Sequence, residues 1–505
     1  MLISKIKYFD KKIIVSLFLI ILSSIPIKLF FFPYEIPLTY DGLFYFRYAI
    51  DTSILGQLPN TPLTNNGWPL LLSIFYSSFN SDNFLEYMTL QRVISISIST
   101  FTIIPVYLLL RRFFDYKYAL LGSILFIFEP RMIQNSFLGL TDSLFILFTT
   151  STLFFVLSSR IKIIYIAFSF AAFATMVRYE GVILLLLISI LYFIRYRKNR
   201  KKLLKYSVAI SIFILIMLPM SYAKINATGT DGIGASVLSG AEVYGVEASS
   251  NQENILVGIF SYAIGGLESL IKYFGWIMIP YFILFVPLGI FVILKQKNEH
   301  GFFIILSIII LSIPALYAYS RGIQETRYLY LLYPIFCIIS IFAIKFLQER
   351  IKKIITVIII GIIISSTIFL IIKDTDYEHE KEAFEIAKYV SKYTNGINNY
   401  PEAKYVRVTG MINEFPILSN SVSFGPKILA VNQESLIEFI KESKENGLDH
   451  LVLDGKSNSV GFLNDIFINE KKYPYLINIF DSTDYGYKYH IKIYKIDYEK
   501  FNKFD

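Results

Sequence analysis

Four stretches of this 505-residue chain set carboxylates and arginines beside long apolar runs. They are YDGLFYFRYAID (40–51), FEPRMIQNSFLGLTD (128–142), VRYEGV (177–182) and YSRGIQETRYLY (319–330). Asp41, Glu129 and Asp142 are the candidate catalytic acids, because a carboxylate can take a proton from an attacking hydroxyl. Arg47, Arg131, Arg178, Glu180, Arg321, Glu325, Arg327 and Tyr328 are the candidate substrate-binding residues. An arginine presents a planar fork that holds a phosphate through two hydrogen bonds. Acids to accept a proton, next to arginines to neutralise a lipid phosphate, suit sugar transfer from a lipid-phosphate donor. Each stretch also has a simpler structural use. Asp41 can cap a helix, and Arg47 with Asp51 can be an i,i+4 surface pair. Asp142 or Thr141 can cap the helix that follows. Arg178 and Glu180 can pair locally, and the arginines near Tyr328, Tyr330 and Tyr333 can belong to an interfacial aromatic belt.

The elements that must position these residues are membrane helices. The chain is 54% hydrophobic and only 17% charged, with a mean hydropathy of +0.54. A soluble domain carries about 25% charged residues. The apolar residues come in blocks, with about eleven long enough to span a bilayer. These are 13–32, 87–110, 117–130, 142–158, 161–177, 181–195, 206–222, 273–294, 302–319, 328–346 and 353–372. The run WPLLLSIF (68–75) is too short to span and is expected to lie at the interface or to re-enter. The first segment reads as a retained helix, since it lacks a small-x-small cleavage site.

The net charge of +9 does not point to nucleic acid, because its dense clusters flank apolar segments. With a cytoplasmic N-terminus, alternation puts Arg111, Arg112, Arg160, Lys162, the cluster RYRKNRKKLLK (195–205), Lys295, Lys297, Lys345 and Arg350 in the cytoplasm. That is the pattern of the positive-inside rule. The four acid and arginine stretches then gather on the extracytoplasmic face. So does everything after residue 373, where charges become frequent and no span remains. EKEAFEIAKYVSKY and QESLIEFIKESKENG read as helices, and KYVRVTG, DHLVLDG and YKYHIKIYKI as strands. The expected fold is a polytopic α-helical membrane domain (1–372) followed by an extracytoplasmic α/β domain (373–505). The lone Cys337 lies in an apolar run and permits neither an internal disulfide nor a cysteine metal site. Asn226-Ala227-Thr228 is a glycosylation sequon expected on an outer loop.

Read as a helix, 41–54 places Leu43, Phe46, Ile50 and Ile54 on one face and Asp41, Tyr45, Tyr48 and Thr52 on another. That is an amphipathic helix in the membrane interface.

The order of these motifs resembles the GT-C superfamily of integral-membrane glycosyltransferases. The branch it looks like is that of the protein O-mannosyltransferases, aminoarabinose transferases and RgtA/B/C/D-like proteins. The resemblance rests on YDGLFYFRYA, NGWPLLLSIFY, Arg92 with VYLLLRRFF, the turn containing Pro130, Ser136, Gly139 and Asp142, and RYLYLLYP, over about residues 13–346. One departure is that Asp41 is followed by Gly42, where the family usually has a second acid. The resemblance implies an extracytoplasmic site and a polyprenyl-phosphate sugar donor of the dolichyl-phosphate type. The acceptor would be a lipid, glycan or protein, as in protein glycosylation or cell-envelope modification. Asp41 would be the general base of an inverting transfer. Arg327, with Arg321 or Arg178, would neutralise the leaving phosphate. Asp142 and Glu129 would orient the sugar. If a metal is used, Mg²⁺ or Mn²⁺ on Asp41 and Asp142 would suit oxygen ligands.

The oligosaccharyltransferase catalytic subunit is a near relative in this pattern. Its Trp-Trp-Asp-Tyr-Gly motif has only a three-letter echo here, Asp484-Tyr485-Gly486. Two non-glycosyltransferase readings remain, a lipid or sugar transporter or flippase and a membrane scaffold with an outer binding domain. Transporters tend to carry internal repeats, and this chain shows none.

Overall fold

A computed structural model describes residues 10–391 except 39, 61–62, 82, 159, 233, 235–254, 296–300 and 352–353. It also describes 422–424, 428–431, 433, 435–455 and 461–504. The strand expected at KYVRVTG and the basic residue Lys297 lie outside the described residues.

Helix α1 (Lys11–Phe30) shows how the apolar runs become spans. Asp10 caps it, accepting a hydrogen bond from the Ile13 amide at 3.0 Å. Its 20 residues reach about 30 Å, the thickness of a bilayer core. Ile13, Leu17, Ser24 and Lys28 form its buried stripe, while Ile14, Phe18 and Leu22 are exposed. An apolar outer face suits lipid, where backbone groups must be satisfied inside the helix.

The following helices are α2 (Tyr40–Leu55), α3 (Gly67–Ser78), α4 (Phe84–Phe101), α5 (Ile103–Leu110), α6 (Tyr116–Ile127) and α7 (Pro130–Phe137). Next come α8 (Asp142–Val156), α9 (Ile161–Val177), α10 (Val182–Arg195), α11 (Lys202–Thr228), α12 (Ile255–Ile277) and α13 (Phe282–Lys295). The series ends with α14 (Gly301–Ser320), α15 (Tyr333–Gln348) and α16 (Ile354–Ile372). Two 3-10 turns, Tyr179–Gly181 and Thr326–Leu332, precede α10 and α15.

Among the described residues, six helices are long and apolar enough to cross a membrane. A bent pair raises this to seven. The segment expected as one span at 273–294 is that bent pair: α12 and α13 meet at 110°. Pro280 lies in the break, and proline cannot donate the amide bond that would continue a helix. The segment expected at 117–130 stops at Ile127, which leaves Glu129 outside it. The sequon Asn226–Thr228 is not on a loop but in the last turn of α11, where the Thr228 hydroxyl donates to the Lys224 carbonyl at 3.0 Å.

The chain divides into two compact units. The first comprises Met1–Pro33, Leu55–Phe75 and Leu90–Asp374. The second comprises Tyr34–Ile54, Tyr76–Thr89 and Thr375–Asp505. In the first, α15 is the most enclosed helix, with Ile335, Phe336, Cys337, Ile338 and Ile339 fully buried. It packs on α13 and α6. Gly289 of α13 allows the close approach, because a Cβ there would sit 2.1 Å from the Ile339 carbonyl oxygen. Helix α9 buries Ala167, Ala171, Ala172 and Ala174 and packs on α8, α10 and α11. Small residues let membrane helices come close.

In the second unit, five strands form an antiparallel sheet: β1 (Val422–Phe424), β2 (Ile428–Ala430), β3 (His450–Asp454), β4 (Leu476–Asp481) and β5 (Ile491–Ile496). Their order is β2-β1-β3-β5-β4. The core joins Leu451, Leu453 and Tyr494 of the sheet to Phe439 and Ile440 of helix α18 (Leu436–Glu445) and to Leu463 and Ile466 of helix α19 (Gly461–Ile468). Helix α17 (Glu378–Ser391) carries Glu382, whose carboxylate accepts from the Lys488 and Tyr489 amides at 2.6 and 3.0 Å.

Helix α2 belongs to this unit up to Ile54. It buries Leu43, Phe46 and Ile50 as the periodicity requires, but also Tyr48 and Thr52. Its covered face is thus broader than the sequence pattern suggests, and the Thr52 hydroxyl is satisfied by the Tyr48 carbonyl at 2.7 Å.

Candidate active site

Within the first unit, three polypeptide turns converge on one cleft of about 280 Å³, its open mouth included. Its walls include Asp142, Arg178, Glu180, Arg327, Tyr328 and Phe145. Asp142 is the first residue of α8. Neither it nor Thr141 is used as a side-chain cap: Thr141 holds the cap position without a side-chain hydrogen bond. The Asp142 carboxylate is taken by an arginine instead. Arg178 follows the end of α9 in an extended conformation, and the Tyr179–Gly181 turn reverses the chain. Gly181 permits that reversal, since a Cβ there would lie 2.6 Å from the Thr175 nitrogen. Arg327 and Tyr328 come from the 3-10 turn before α15.

Arg178 is the hub. Its Nη1 donates to Asp142 Oδ1 and its Nη2 to Glu180 Oε1, each at 2.8 Å. The three side chains are 10%, 5% and 11% exposed, in the order Arg178, Asp142, Glu180. The guanidinium also lies 5.4 Å from the Tyr328 ring centroid and 5.8 Å from that of Phe145, within cation–π range. Asp142 Oδ2 and Glu180 Oε2 are buried and accept no hydrogen bond from the described residues. Two carboxylates thus face one shared arginine, and each keeps an acceptor oxygen for a ligand. Arg327 brings a second positive group, leaning on Glu325.

Five of the sequence-predicted residues therefore meet in one place, and Glu129, Arg131 and Arg321 of the same unit lie outside its lining. Glu129 caps α7, Oε1 accepting from the Arg131 amide at 3.4 Å. It is wholly buried, between α6 and α7 and outside the spans. Burial pushes its carboxyl up to about 8 against the pull of Arg131 and of the Tyr281 and Tyr333 hydroxyls. Arg131 donates to the Trp276 carbonyl at 2.9 Å and lies 4.8 Å from the Phe369 ring centroid. Glu129 and Arg131 are not in the cleft wall; they tie α7 to its neighbours. Arg321 is not there either, its Nη1 donating to the Tyr317 hydroxyl at 3.4 Å.

Asp41 and Arg47 belong to the second unit. Asp41 is half-buried in the first turn of α2, one residue inside the helix rather than at its cap. Arg47 Nε is 3.9 Å from Asp51, the expected i,i+4 pair.

Sequence reasoning overlooked Gln91, which is fully buried and donates to the Gly139 carbonyl at 2.8 Å. Its signal was present: a glutamine inside an apolar helix needs a partner.

No group of three or more His, Cys, Asp or Glu among the described residues is arranged to hold a metal ion. Arg178 instead bridges Asp142 and Glu180. Held by one guanidinium, those two acids do not by themselves fit a site for Mg²⁺ or Mn²⁺.

A bundle of apolar helices has acids and arginines converging at its helix ends. A family model of dolichyl-phosphate-mannose-protein mannosyltransferases matches residues 72–222. The structure is similar to that of the Archaeoglobus fulgidus oligosaccharyltransferase in complex with Zn and sulfate. The TM-score is 0.53 at 15% identity, covering 77% of this chain and 57% of the other. The same enzyme tethered to an acceptor peptide containing the NVT sequon gives a TM-score of 0.57 at 13% identity, covering 89% and 70%. ArnT from Cupriavidus metallidurans, bound to undecaprenyl phosphate, gives 0.50 at 12% identity, covering 79% and 75%. This chain thus spans little more than half of the oligosaccharyltransferase in the first of these likenesses. No curated protein matches it in sequence. The chain is an integral membrane protein with the GT-C fold.

Proposed function

We propose that this protein is a GT-C glycosyltransferase that moves a sugar from a polyprenyl-phosphate donor to an acceptor hydroxyl on the extracytoplasmic face. The observation that carries this reading is the cleft. It joins Arg327 and the Arg178 hub to two carboxylates that each retain a buried acceptor oxygen. Buried acceptors call for donors, and sugar hydroxyls supply them. Arg178 is already shared between two acids, so the leaving phosphate falls to Arg327. Tyr328 offers the sugar ring a flat face. Asp41 takes the proton from the attacking hydroxyl, whose oxygen adds to the anomeric carbon on the face opposite the phosphate and so inverts it. The C–O bond to the donor phosphate breaks as the new glycosidic bond forms, and the lipid phosphate leaves with the electron pair.

The lipid-binding and peptide-bearing states of the similar structures accord with a lipid-linked donor and a polymer acceptor. The membrane domain (1–372) carries about eleven passes with a cytoplasmic N-terminus, and 373–505 lies extracytoplasmic. The short apolar helices α6, α8 and α9 count among those passes. Transfer of a whole lipid-linked oligosaccharide is the second reading, favoured by the likeness over 89% of the chain.

The test is sugar transfer by the purified protein in lipid nanodiscs, with a panel of polyprenyl-phosphate sugars and lipid-linked oligosaccharides. Turnover of a monosaccharide donor, lost in Asp142→Asn, is expected. Turnover only of a lipid-linked oligosaccharide selects the second reading, and none with any donor refutes both.

A further inference from the structure

We infer that Asn65, Gly67 and Trp68, together with Gln91, form a staple that sets the distance between Asp142 and Arg178 without entering the cleft. The inference rests on the glycosyltransferase reading of that cleft. Within four residues, one segment touches the chain on both sides of the ion pair. On the Asp142 side, the Trp68 Nε1 donates to the Gly139 carbonyl at 2.8 Å. The Gln91 Nε2 donates to the same oxygen at 2.8 Å. One carbonyl has two lone pairs, and both are used. Gly139 has a positive φ of 67°, a turn that glycine adopts without strain. Arg92 Nε adds a bond to the Phe137 carbonyl at 2.8 Å, and the Ser95 and Ser143 hydroxyls meet at 3.0 Å.

On the Arg178 side, Gly67 packs against backbone: a Cβ there would sit 2.7 Å from the Met176 carbonyl group. The Asn65 Oδ1 accepts from the Tyr179 amide at 3.2 Å. Trp68 and Gln91 are fully buried, and neither is in the cleft wall. Their donors act on residue 139, three before Asp142, while Asn65 and Gly67 act on residues 176–179. The segment thus decides how far apart α8 and the end of α9 stand where their charges meet. Trp68, Gln91 and Asn65 are positioning residues, since they act on the acids and arginine and not on substrate.

The two donors on one carbonyl give the test its sign. Trp68→Phe and Gln91→Met each remove one donor and leave the other. The double variant leaves a buried carbonyl with none, so its effect exceeds the product of the single effects. In nanodiscs, with a donor the wild type turns over, each single variant is expected to lose less than ~5-fold in kcat and the double more than ~100-fold. The KM for donor and the melting midpoint of the singles stay at wild-type values, which a general loss of folding would not allow. Asn65→Ala, which removes the link on the other side, lowers kcat with the same unchanged KM, and is measured whether or not the double variant folds. A double variant equal to the product of the singles, or Asn65→Ala with wild-type kcat, overturns the staple. A wild type that transfers no sugar overturns the underlying reading instead.

Discussion

Arg178→Leu is the most informative single change. The arginine holds two carboxylates that are almost out of solvent, at 5% and 11% exposure, so water screens little of the interaction. Each of its two bonds is charge-assisted and 2.8 Å long. Such bonds contribute about 1.5–3 kcal/mol apiece, or about 3–6 kcal/mol together. Removing one partner of a buried ion pair costs about 3–5 kcal/mol, because the remaining charge is stranded. Here two charges are stranded, and leucine offers neither a hydrogen bond. Arg178→Leu should therefore lose about 3–5 kcal/mol of stability, read as a lowered melting midpoint in nanodiscs. Arg178→Lys should recover only part, since one ammonium cannot present two spaced, coplanar donors. The decisive comparison is Arg178→Leu combined with Asp142→Asn and Glu180→Gln. With no charge left to strand, this variant should melt above Arg178→Leu alone, while staying inactive. If Arg178→Leu melts with the wild type, or if neutralising both acids restores nothing, the shared-arginine reasoning is wrong.

Four further outcomes are expected. Asp41→Asn should cut sugar transfer by about 10²–10⁴-fold, the worth of a general base, at unchanged expression; near-normal transfer removes Asp41 from that role. Arg327→Ala should raise the donor KM by ~10-fold or more through loss of a charge-assisted phosphate contact, with the acceptor KM little changed; equal effects on both would break the phosphate assignment. Glu129 titrates near 8 in the fold and near ~4.3 in an unfolded chain. The folded state thus binds more protons between those values, and stability falls as pH rises through that window, by up to about 1.4 kcal/mol per pH unit. Glu129→Gln should flatten that slope in thermal melts, and an unchanged slope would refute its source. Lys198→Cys and Lys444→Cys should be labelled from opposite sides of the membrane, with the buried Cys337 silent; labelling from one side would break the topology.

Part of the candidate site was legible because ionisable residues beside apolar runs are conspicuous. Asp142, Arg178, Glu180, Arg327 and Tyr328 stood out as ionisable or aromatic residues at the ends of apolar runs, and they share one cleft. Glu129 and Arg131 looked alike in sequence but serve to cap and tie α7. Nothing local separates the two cases, since both are acid and arginine pairs beside a turn. The break at 278–281 was likewise hidden inside a run of apolar residues long enough to span.

What the sequence determined by itself was a mostly helical, apolar chain with ionisable residues at the ends of its apolar runs. A bilayer allows few ways to satisfy a backbone, so apolar length and the placement of lysines and arginines are read almost directly. Which carboxylate each arginine holds was decided only in three dimensions. Arg178 pairs with Asp142 across 36 positions of chain, and Trp68 reaches Gly139 across 71. Those distances close only when helices pack, and packing depends on side-chain shape at contacts that no single segment encodes. For the same reason Gln91, an unremarked glutamine in an apolar helix, became a donor to the turn that presents Asp142.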